Sequence, residues 1–112
     1  GGVFLAAEED AGWLVTARMR LSSRLQRFAE RLGEHWEATG QWSRAAELYQ
    51  RMIELEPLQA AFHRRHLLCL RAEGRRAEAI DAYRRWRHLL ATTVGIAPDP
   101  ELERVYRDLF AS

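Results

Sequence analysis

The hydrophobic pattern of this chain is helical from end to end. From Gly12, apolar residues return every three or four positions at Leu14, Ala17, Leu21, Leu25, Phe28, Leu32 and Trp36, one stripe along a helix. Gly40 closes it, being suited to the turn that ends a helix. The predicted helix is about 28 residues, long for a globular protein, and Ser22 and Ser23 mark the place for a break. A second helix is expected over about 42–56, with Ala45, Leu48, Tyr49, Met52 and Ile53 inward, and Pro57 ends it or opens the next. The third, about 58–73, turns Phe62, Leu67 and Leu70 inward and stops at Gly74. The fourth, about 76–93, presents Ala79, Ile80, Tyr83, Trp86 and Leu90. The last has the clearest start: Asp99 as N-cap, Pro100 at the first helical position, Glu101 and Glu103 in the first turn. Its apolar face is Val105, Tyr106, Leu109 and Phe110. No stretch alternates with the period of a strand.

Landmarks recur 34 residues apart: Ala38 with Ala72, Gly40 with Gly74, Ala45 with Ala79, Tyr49 with Tyr83, Arg51 with Arg85. That period marks a helical repeat. Gly33, Trp36, Gly40, Trp42, Ala45, Tyr49 and Pro57 resemble the tetratricopeptide pattern of small, aromatic and turn residues. The spacing has a physical reason, since two antiparallel helices approach closely only where small side chains face each other, and large aromatics then fill the flanks. In the second copy Leu67 stands where the first has Gly33, and His66 where an aliphatic residue is usual. The expected fold is all-α: a tetratricopeptide-like right-handed stack of antiparallel helix pairs with capping helices. Residues 1–10 form an entry segment and 11–112 a single domain, with repeats at about 26–59 and 60–93 and a capping helix at about 100–111. Two repeats leave both outer faces bare, so the flanking segments are expected to be caps.

Composition narrows the picture. A chain of 112 residues can bury a core without metal or disulfide. Seventeen arginines against sixteen acids give a net charge of +1, which does not suggest a free-standing nucleic-acid binder. A single cysteine, Cys69, excludes an internal disulfide and fits a reducing compartment. With no apolar run of membrane-spanning length and no signal peptide, the expected location is cytoplasmic and no membrane partner is expected.

The stretch 42–109 is similar to the bacterial transcriptional activator domain, a tetratricopeptide-like module of transcription regulators of the antibiotic-pathway type and of some large ATP-dependent regulators. The resemblance rests on Glu56-Pro57-Leu58, Gly74-Arg75-Arg76-Ala77-Glu78-Ala79, Tyr83-Arg84-Arg85 and, most specifically, Val94-Gly95-Ile96-Ala97-Pro98-Asp99-Pro100-Glu101. Phe4-Leu5, the acidic run behind it and Trp13 resemble the family's entry segment. The resemblance implies a non-catalytic protein-contact or signal-relay role, with DNA bound chiefly by a separate domain. The chain then reads as an excised fragment, its Val3, Phe4 and Leu5 being an apolar patch in want of a surface. The implied partners are other domains of the same regulator or the transcription machinery, without direct nucleic-acid contact, and a homodimer is left open.

The repeat frame assigns Arg27, Glu30, Arg31, Glu34 and Glu37 of the first copy, and Arg64, Arg65, Leu68 and Arg71 of the second, to the inner, concave face. Arginine forks there suit an acidic peptide, an acidic face of another domain, or an anionic nucleotide or metabolite. The plainer reading is a solvated surface paired locally, Arg27 with Glu30 and Arg31 with Glu34. Arg20, Arg24, Arg27 and Arg31 share one helical face that could track phosphates, but no aromatic interleaves and Glu30 and Glu34 stand beside it. His63, His66 and Cys69 do not converge on one helix face, so packed histidines are expected rather than a metal centre. No phosphate-cradling glycine loop and no motif-embedded nucleophile is present, so neither an enzyme nor a cofactor is expected. A tetratricopeptide carboxylate clamp relies on lysine and asparagine, and the chain has neither.

Overall fold

The structure is a computed structural model and describes residues 2–111, with side chains from residue 11 onward. Five helices follow one another: α1 (Gly2–Ala38), α2 (Trp42–Leu55), α3 (Ala60–Ala72), α4 (Arg76–Thr93) and α5 (Pro100–Ala111). No strand occurs among the described residues. Packing runs between successive helices, α1 on α2, α2 on α3, α3 on α4 and α4 on α5, which makes a tetratricopeptide-like helical stack.

The two hairpin turns show why the landmarks repeat. Gly40 and Gly74 both sit at φ +73°, in the left-handed region that glycine enters without steric cost. Behind each, the helix closes the same way: Gln41 N–H donates to the Trp36 carbonyl (2.7 Å) and Gly40 N–H to Glu37 (3.1 Å), as Arg75 does to Leu70 (2.9 Å) and Gly74 to Arg71 (3.0 Å). Such paired bonds satisfy carbonyls that a helix end otherwise leaves orphaned.

Small-against-large packing sets the distance between α1 and α2. Ala45 is fully buried and Tyr49 lies directly over Gly33, where an added Cβ would come within 2.1 Å of the phenol oxygen. In the second pair Ala79, Leu67 and Leu70 are buried with Tyr83 and Trp86. Tyr49 and Phe62 rings lie 6.1 Å apart and join the two pairs. α5 closes the far end. Tyr106 stacks on Tyr83 at 4.1 Å, Phe110 meets Tyr106 edge-on, and Leu102 and Leu109 are buried. The N-cap is as expected, with Asp99 Oδ1 accepting from Glu101 N–H (2.8 Å) and Leu102 N–H (3.1 Å).

Two expectations about helices change. α1 continues through Ser22 and Ser23 without a break and spans 37 residues, and Gly2–Asp10 belong to the same helix. The half-buried Ser22 hydroxyl donates to the carboxylate of Glu56, the residue that caps the C-terminus of α2. Pro57 lies in the turn between α2 and α3, so both helices are shorter at that junction than the hydrophobic pattern suggests. The stranded Val3, Phe4 and Leu5 lie outside the described side chains. Extents of 66 × 34 × 18 Å and a radius of gyration of 17.8 Å exceed the about 13 Å of a compact domain this long, because the N-terminal half of α1 projects beyond the stack.

Candidate functional site

Where the repeat frame places the concave face, the structure shows a polar cluster built by both repeats, from α1, α2 and α3. Glu34 and Glu37 are one turn apart near the C-terminal end of α1, and Arg65 faces them from α3. The Arg65 guanidinium forks between them, one nitrogen 2.9 Å from Glu37 Oε2 and the other 3.1 Å from Glu34 Oε1. Tyr49, from α2, donates its hydroxyl to the same Glu37 oxygen at 2.7 Å. Cys69 Sγ lies 3.8 Å from the other Glu37 oxygen. Glu37 is thus the hub of three helices, and its side chain keeps only 18% of its exposure, against 57% for Glu34. Charge-assisted bonds of this kind are the stronger ones, and partial burial lessens their screening.

The protonation states follow from that packing. Burial, aided by the bond to Glu37, pushes the Tyr49 phenol well above its ordinary range, so it remains a donor. Burial works against the charge on Arg65, but the bonds to Tyr49 and Glu37 outweigh it and the guanidinium is held more firmly protonated. Burial beside Glu37 pushes the Cys69 thiol up to about 12, which leaves it a neutral thiol rather than a nucleophile.

Of the nine residues assigned to this face, the structure brings Glu34, Glu37 and Arg65 into contact. Arg27, Arg31, Arg64 and Arg71 are exposed, and Glu30 and Leu68 are half-buried. The local pairs Arg27 with Glu30 and Arg31 with Glu34 do not form among the described residues; Glu34 turns to Arg65 instead. A carboxylate gains more from a half-buried guanidinium than from an exposed pair that salt screens. In the sequence, Tyr49 reads only as a core residue and Cys69 only as a metal-capable one. Tyr49's repeat position predicts burial, and a buried phenol needs a hydrogen-bond partner, which was the one available signal for its role.

The histidines do other work. His63 stacks on Trp86 at 3.8 Å, and its Nε2 is 2.6 Å from the Pro57 carbonyl. His66 is half-buried beside it, and burial, with the nearby His63, Arg75 and Arg85, pushes its pKa down to about 4. These two and Trp86 border a shallow hollow with Gln50, Ile53 and Arg85. Among the described residues no helix is long and apolar enough to cross a membrane.

No curated protein and no solved structure matches the chain. A family model does, over residues 1–110, the bacterial transcriptional activator domain. With that match covering almost the whole length, and with a helical stack of the expected kind, the chain belongs to the bacterial transcriptional activator domain family and is a module of transcription regulation.

Proposed function

We propose that this domain is a non-catalytic interaction and relay module whose concave face receives an acidic surface of another domain of the same regulator or of the transcription machinery. DNA is bound by a separate domain. The observation that carries this reading is the Arg65 fork, which ties α3 to α1 through Glu34 and Glu37 and stands beside exposed Arg64 and Arg71. A partner carboxylate attracted by Arg64 and Arg71 competes with Glu34 for Arg65. Binding there therefore acts on the bond between the two repeats, and the angle between them becomes the signal.

The test is a reporter assay in the full-length regulator. Arg64→Glu with Arg71→Glu leaves the internal cluster intact, and adding Arg65→Glu removes it. The double variant is expected to lower regulated output several-fold with helical circular dichroism unchanged, and the triple variant to lower it further. Unaltered output in the double variant overturns the assignment of this face.

A further inference from the structure

The repeat makes a second surface legible, on the outer side of α1 at the N-terminal end of the stack, bordering the face assigned to Arg27 and Arg31. Each α3 position has a counterpart 34 residues earlier on α1, and the two environments differ sharply. Phe62 is 1% exposed, packed against Tyr49 of the preceding helix, whereas its counterpart Phe28 is 63% exposed. Arg65 is forked between Glu34 and Glu37 of the preceding pair, whereas its counterpart Arg31 is exposed and makes no ion pair among the described residues. The apolar stripe through Phe28 continues along the projecting half of α1 with Leu14, Leu21 and Leu25, all exposed. Every charged residue of that stretch is cationic. Residues 11–29 hold Arg18, Arg20, Arg24 and Arg27 and no acid.

We propose that this outer face of α1 is a docking surface for an acidic amphipathic helix of a protein partner. The occupant brings an aromatic side chain to Phe28, as α2 brings Tyr49 to Phe62, and a carboxylate to Arg31, as α1 brings Glu34 and Glu37 to Arg65. A row of exposed leucines and a phenylalanine is not a phosphate-tracking surface. A second copy of the same face would set arginines of like charge against one another. An amphipathic helix with acidic flanks satisfies both the stripe and its border.

The full chain tests this against three dye-labelled helical peptides that share one leucine and tyrosine face and carry Glu, Gln or Arg flanks. By fluorescence anisotropy the Glu-flanked peptide is expected to bind about tenfold more tightly than the Gln-flanked one, and the Arg-flanked peptide least. Arg31→Glu, at an exposed position that does not threaten folding, should reverse the order of the Glu and Arg peptides. Phe28→Ala should weaken all three. Arg64→Glu with Arg71→Glu should change nothing here, which separates this surface from the concave one. Equal binding of the three peptides, or an order that Arg31→Glu leaves unaltered, overturns the proposal. So does self-association of the chain through this face, or adsorption to anionic vesicles without peptide binding.

Discussion

Gly33 shows how much of this molecule depends on one missing side chain. Tyr49 occupies the space where a Cβ would stand, and its hydroxyl is fixed there by Glu37. The ring cannot retreat without giving up that bond, so the clash of Gly33→Ala falls on the helix pair itself. The substitution should destabilise by about 2–3 kcal/mol, as overpacking of a tight contact does. Gly12, with nothing within 4 Å, is the control. Gly12→Ala should be neutral or gain up to about 1 kcal/mol from helix propensity. Thermal unfolding of the two variants decides it, and equal Tm values would mean that the Gly33–Tyr49 contact does not set the packing distance.

At the scale of the element, α3 is the helix whose surroundings decide most. It shares its faces with α2 and α4 and carries the one strongly shifted imidazole, His66. Its pKa falls from 6.5 to about 4, so the fold holds the neutral ring while the unfolded chain takes up a proton. The stability this provides is complete above about pH 6.5 and is lost as the pH falls through the window down to about 4. His63, also held below its ordinary value by burial, acts in the same direction. His66→Leu, which restores the aliphatic residue that Leu32 supplies one repeat earlier, should flatten the decline in Tm between pH 6.5 and 4.5. A decline as steep as in the parent would place the acid sensitivity elsewhere. This helix also marks the limit of sequence reading. The positions of Phe62, Leu67 and Leu70 were legible because burial follows period. The choice of Arg65 by Glu34 was not, because it joins residues 31 apart whose proximity exists only once the repeats stack. The same reason hid the bond from Ser22 to Glu56.

Across the whole molecule, the second hairpin is a displaced copy of the first and leans on it through α2 and α3. That Tyr49 and Phe62 both face inward was legible in the helical period; that their rings meet across the two pairs was not. The polar part of the junction is what makes it specific and gives a partner something to compete for. The same displacement accounts for the bare face of α1, which lacks the helix that α3 finds in α2. The most direct measurement is a double-mutant cycle in thermal unfolding with Glu37→Gln, Arg65→Met and the two together, since these residues touch only if the repeats stack as described. A coupling of about 1 kcal/mol is predicted for this partly exposed pair. Additive effects, with no coupling beyond error, would contradict the stacked junction on which the account rests.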